Sequence, residues 1–186
     1  MATRTVPDIS DYKDALDVLY GEIVEIYSNR EIWQFLNDQL PKRSGAFLNQ
    51  TLTRWYLDTQ SAAIRRIASK KKQDKRSFYT LLQKILADGA YFSKHSNGVP
   101  VSHQLIEDDL EKLGTTSHVI IRWVDEKVAH IGRKTSANPT FNDLDAAIDN
   151  LGELLTKYFQ LITGNGLVMP PVIAEDWTAP FTQKWF

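Results

Sequence analysis

An all-α, single-domain helical bundle is what this sequence predicts, and three observations predict it. Apolar residues recur at three- and four-residue steps through most of the chain, no stretch alternates apolar and polar residues between hairpin turns, and glycines and prolines fall where the helical runs stop. Roughly five to seven helices are expected over residues 8–164, followed by an extended aromatic and proline-rich tail over 165–186 that packs on the bundle or on a partner. At 186 residues the chain 1–186 has room for one core, in which roughly 70% of the unfolded surface is buried.

After Pro7, Asp8 or Ser10 is placed to cap a first helix carrying Tyr12, Leu16, Leu19, Tyr20, Ile23, Val24 and Tyr27 at helical spacing. Ser28-Asn29 reads as a break or a new cap, before a shorter helix with Ile32, Trp33, Phe35, Leu36 and Leu40 that Pro41 ends. From about Ser44 a long helix follows, with Phe47, Leu48, Leu52, Trp55, Tyr56, Ala63, Ile64 and Ile67 as its apolar set. The Trp and Tyr residues of these helices read as core.

The run 69–76, rich in lysine, interrupts the periodicity. Ser77 can cap a helix with Phe78, Leu81, Leu82, Ile85 and Leu86, and Gly89 is placed to end it in a left-handed cap. Residues 93–100 have the composition of a loop. Helical spacing then runs from Leu105 and Ile106 to Val128 and Ile131, and Gly114-Thr-Thr116 inside it allows either a kink or two consecutive helices. Asn138-Pro139 stops the run. Thr140 with Asp143 resembles a capping box opening a helix that carries Leu144, Ile148, Leu151, Leu155, Tyr158, Phe159 and Ile162, and Gly164 is its stop signal.

Composition removes several function classes. With 42% hydrophobic and 24% charged residues the chain is globular rather than disordered, and a net charge of -1 gives no global attraction to phosphate while leaving room for a local basic patch. The absence of cysteine removes disulfides, thiolate nucleophiles and cysteine-based zinc sites. No segment has signal-peptide or membrane-span character, so a cytoplasmic protein without a membrane partner is expected. There is no glycine-rich phosphate loop, and no two histidines have zinc-ligand spacing, so neither a cofactor nor a metal is expected.

The stretch that reads like chemistry is 118–134. Arg122, Glu126 and His130 stand at successive four-residue steps, each drifting about 40° around the axis, beside an apolar face of Ile120, Val124, Val128 and Ile131. A histidine beside a cation suits metal-free chemistry on RNA, where the 2′-hydroxyl loses a proton and the phosphorane charge needs a positive partner. In that reading His130 is the general acid or base, Glu126 orients it, and Arg122, Lys127 or Arg133 holds phosphate. The plainer reading is a helix-surface ion pair beside a packing histidine. Arg65, Arg66, Lys70, Lys71, Lys72, Lys75 and Arg76 form the densest basic run, either a phosphate-binding patch or a solvated connection between helices.

Ala63-Ile-Arg-Arg-Ile-Ala68 before a loop and Ser77-Phe-Tyr-Thr-Leu-Leu82, Val124-Asp-Glu-Lys-Val-Ala-His130, Pro139-Thr-Phe-Asn-Asp-Leu144, and the closing Asp176-Trp177 with Phe181 and Trp185 give the chain a resemblance to the HEPN superfamily, the higher eukaryotes and prokaryotes nucleotide-binding helical domains. Within it the chain resembles the U-type abortive-infection branch. The resemblance implies a homodimer of helical bundles and a metal-independent ribonuclease of antiviral defence or of a toxin–antitoxin pair, with RNA and a partner protein of such a pair as its partners. It also implies an active motif of Arg, four to six residues, and His. His130 matches the histidine; the nearest preceding arginine, Arg122, is separated from it by seven intervening residues, 123–129. A HEPN fold without activity, kept as an interaction or nucleic-acid-binding protein, is the alternative.

Overall fold

The computed structural model describes residues 8–39, 46–70, 76–89, 91–92, 101–129, 138–169 and 178. Among them it is all-helical, with five helices: α1 (Ile9–Gln39), α2 (Ala46–Ala68), α3 (Phe78–Ala87), α4 (His103–Ala129) and α5 (Phe141–Thr163). The four long helices form a ring in which α1 packs on α2, α2 on α4, α4 on α5 and α5 on α1, while α3 lies chiefly on α4. This is the expected all-α bundle. No helix among the described residues is long and apolar enough to cross a membrane.

Local chemistry accounts for most of the helix ends. Ser77 is the N-cap of α3, its Oγ accepting from the Thr80 amide at 3.2 Å. Thr140 and Asp143 form a reciprocal capping box at the start of α5, and Gly164 closes that helix with φ 77°, a left-handed conformation in which a side chain would be strained. Two expectations need correction. Gly89 is not the left-handed cap of α3, because the helix closes at Asp88, whose amide donates to the Lys84 carbonyl. Gly89 instead lies beside the exposed His103 side chain of α4, whose Nε2 atom a Cβ would approach to 2.7 Å.

The break expected at Ser28-Asn29 does not occur, and α1 runs through it. Tyr27 and Trp33, on either side of the pair, are both buried. Trp33 stacks on Tyr56 with centroids 5.0 Å apart and on Phe141 at 5.9 Å. Tertiary burial on both flanks outweighs the weak helix propensity of serine and asparagine, about half a kcal/mol each. Likewise α4 is one uninterrupted helix through Gly114-Thr-Thr116. There the Thr115 and Thr116 hydroxyls donate to the carbonyls of Glu111 and Lys112, each at 2.9 Å, which satisfies them within the helix.

One apolar cluster draws on all five helices, with Tyr12, Leu16, Leu19, Ile23, Ile64, Phe78, Leu82, Ile85, Ile120, Leu155 and Tyr158 at its centre. A smaller one joins Trp123 and Val124 to Val119 on α4. The expectation that the early aromatics are core holds for Tyr12, Tyr27, Trp33 and Tyr56 and fails for Trp55, which is 60% exposed, and for Tyr20, 38% exposed. Phe47, also assigned to the apolar face of its helix, is 83% exposed. The tail beyond 169, apart from residue 178, and the loop 93–100 lie outside the described residues.

Candidate functional site

The functional candidates that the fold brings together sit where the end of α2 meets one face of α4. Ser77 is the reason the chain leaving α2 stays there. Its hydroxyl, buried, donates to the Ser69 carbonyl at 3.0 Å, which fixes the segment that carries Lys70. The Lys70 ammonium then lies 5.5 Å from the centre of the Tyr79 ring on α3. It also lies over Gly114, where a Cβ would stand 3.2 Å from Nζ.

Facing Lys70 across a cleft of about 370 Å³ are His118, Ile121, Arg122, Asp125 and Glu126 of α4, with Ser69 and Gly114 completing its wall. His118, Arg122 and Glu126 follow one another at four-residue steps, so they form a row along one edge of the helix. Arg122 Nε donates to Glu126 Oε1 at 2.9 Å, the side chains being 51% and 30% exposed. Such a pair stabilises a helix by only a few tenths of a kcal/mol. Asp125 is engaged from outside the cleft by Arg65 of α2 at 2.9 Å. Both acids in the wall therefore have a guanidinium partner, whereas among the described residues no carboxylate pairs with Lys70 and no hydrogen bond engages the His118 imidazole.

Of the expected catalytic row, Arg122 and Glu126 line the cleft, and His130 lies outside the described residues, as do Arg133, Lys71, Lys72 and Lys75. The described residues of the basic run point to different surroundings. Arg66 turns to the other side of α2, bonding Glu22 of α1 at 2.9 Å and lining a separate cavity of about 350 Å³. Arg65 is committed to Asp125, and Arg76 is exposed at the start of α3. Lys127, expected to hold phosphate, sits 4.2 Å from the centre of the Trp123 ring and 3.8 Å from Asp58.

The residue that sequence reasoning passed over is His118. Its signal was available, since the four-residue step that links Arg122 to Glu126 leads equally back to His118. A third cavity, about 650 Å³ and open, is lined by Tyr27, Arg30, Asp149, Glu153 and Lys157. Its charges are used in holding α5 to its neighbours: Arg30 of α1 donates to Asp149 at 2.7 Å, and Lys112 of α4 pairs with Glu153. No group of histidines and acids able to hold a metal ion occurs among the described residues. No family model matches the chain, and neither a curated protein nor a solved structure matches it.

Proposed function

We propose that this is a HEPN-like, RNA-acting protein of the phage-defence or toxin–antitoxin type, working as a metal-independent endoribonuclease. The observation that carries the reading is the cleft itself, in which Arg122, a lysine and an imidazole face one another in a space of about 370 Å³, the size range of small ligand pockets. A guanidinium stabilises the charge that develops on a phosphorane, and an imidazole moves the proton, so cations and imidazole in one cleft suit phosphodiester transfer without a metal. The sequence resemblance gives the same direction.

The test is to incubate purified protein with total RNA in the presence of EDTA. Cleavage that persists with EDTA and falls about 100-fold or more in Arg122→Gln is the expected result. No cleavage by the unmodified protein sinks the enzymatic reading.

A second reading, an inactive HEPN-type interaction protein, is favoured by Leu48 and Trp55. These stand seven residues apart on one face of α2, and with Phe47 they leave large apolar side chains in solvent, which commonly marks a contact surface. A symmetric homodimer using this face is our proposal for the assembly. Light scattering should give the mass of a dimer for the unmodified chain and of a monomer for Leu48→Glu/Trp55→Glu; a monomer in both cases rejects it.

A further inference from the structure

The three strongest features outside the expected motif are the α1–α5 cavity, the exposed face of α2, and the His118 end of the cleft, and the last carries furthest. Three observations converge on it. Lys70, on the segment leaving α2, and His118 of α4 face the same space, with Ile121 and the glycine backbone at Gly114 as its uncharged floor. The acids beside them, Asp125 and Glu126, pair with Arg65 and Arg122 respectively, and Arg122 gives only its Nε to Glu126, so a half-exposed guanidinium keeps further N–H donors for an anion beside Lys70. The Lys70 ammonium is held over Gly114, one helical turn before His118, by the Ser77 clasp and the Tyr79 ring.

We propose that this cleft seats one phosphodiester of an RNA strand between Lys70 and Arg122, and that His118 is the imidazole presented to the adjoining 2′-hydroxyl. The choice of RNA as the ligand rests on the function proposed above; the anion site does not. In the reaction, the unprotonated ring nitrogen of His118 takes the 2′-hydroxyl proton as the 2′-oxygen bonds to phosphorus. The bond from phosphorus to the 5′-oxygen breaks, and that oxygen receives the proton back from the imidazolium by way of water. The products are a 2′,3′-cyclic phosphate and a 5′-hydroxyl. Lys70 and Arg122 balance the charge on the phosphoryl oxygens throughout.

The experiment follows the His118 ring signal by carbon-13 NMR of the full chain, assigned through its loss in His118→Asn. The probe is deoxycytidylyl-adenosine, a dinucleotide that lacks the attacking hydroxyl and so binds without reacting. Movement of the His118 signal, with binding about tenfold weaker in Lys70→Gln and in Arg122→Gln, is the expected result. A signal that stays still at millimolar dinucleotide, or that moves in both variants as it does in the unmodified protein, overturns the site. Circular dichroism confirms that each variant is folded; all three side chains lie at the cleft, and His118 and Arg122 are exposed. If the signal moves but the unmodified protein cleaves no RNA, the anion site stands and its role in a reaction is rejected. If RNA is cleaved while the signal stays still, the ribonuclease reading survives and the assignment to His118 is rejected.

Discussion

Arg65 on α2 and Asp125 on α4 meet at 2.9 Å, and the carboxylate they share with the cleft wall ties the stability of the bundle to the charge of the site. Removing Arg65 alone leaves Asp125 facing the cleft with one partner fewer. We expect Arg65→Gln to lower stability by about 1 kcal/mol and to weaken anion binding, and Arg65→Gln/Asp125→Asn to recover the binding. Urea unfolding of the two single variants and the double variant measures the coupling; additive effects would remove it.

Gly152 and Tyr27 set a second test. A Cβ on Gly152 would stand 2.1 Å from the Tyr27 hydroxyl oxygen, well inside van der Waals contact. Alanine normally favours a helix over glycine by about 1 kcal/mol, but here overpacking should win and Gly152→Ala should destabilise by roughly 1–3 kcal/mol. Adding Tyr27→Phe removes the nearest atom and should recover part of the loss. Thermal unfolding in which Gly152→Ala is neutral would show that α1 and α5 can move apart freely.

Alkaline pH should unfold the bundle through its buried tyrosines. Burial raises Tyr12, Tyr56 and Tyr158 above the ordinary 10.0, Tyr56 to about 12. Hydrogen bonds donated to carboxylates add to the rise at Tyr12, with Asp88 at 2.8 Å, and at Tyr158, with Asp109 at 2.7 Å. The folded chain therefore holds these protons more tightly than the unfolded chain. Their contribution is full below about pH 10 and is lost as pH rises toward the folded values. Tyr158→Phe should cost about 1 kcal/mol at neutral pH and make the decline above pH 10 shallower, as read from urea midpoints across pH.

The capping box of α5 gives the opposite slope in acid. Hydrogen bonds from the Thr140 backbone and hydroxyl hold the Asp143 carboxyl below its ordinary 3.8, the amide donating at 2.7 Å. Its contribution is present above the ordinary carboxylate range and is lost as pH falls through the folded value. Thr140→Ala or Asp143→Ala should each cost about 1 kcal/mol at neutral pH, and the penalty of Asp143→Ala should shrink below about pH 4. A penalty independent of pH would argue against the charged cap.

The helix ends legible in the sequence were those decided by near neighbours: Ser77, the Thr140–Asp143 box and Gly164 act through atoms within four residues. What sequence reading missed depended on distant segments. Gly89 has His103 of α4 as its neighbour, and Ser28-Asn29 stays helical because Trp33 is enclosed by Tyr56 and Phe141. The apolar period of α2 was correctly read, yet Trp55 and Phe47 fall on the part of that face that no other described helix covers.

The candidate site divides the same way. Arg122 and Glu126 were found from their spacing, and their contact follows from it. That His118 joins them in a cleft depends on where Lys70 comes to rest, which is set by the Ser77 hydroxyl and the Tyr79 ring on a different helix. No local pattern encodes that meeting.

The clasp between Ser77 and the Ser69 carbonyl has one more consequence. It joins Ser69 and Ser77, which flank the lysine-rich run, at 3.0 Å, so the run starts and ends at points already fixed on the bundle. Its length and charge can drift between related chains at little cost, since extending a loop whose ends are already joined adds only about 0.6 kcal/mol per doubling. Lys70, next to the clasp and seated by the Tyr79 ring and Gly114, would keep its place while the residues after it were exchanged, so the cleft is insulated from changes in that run.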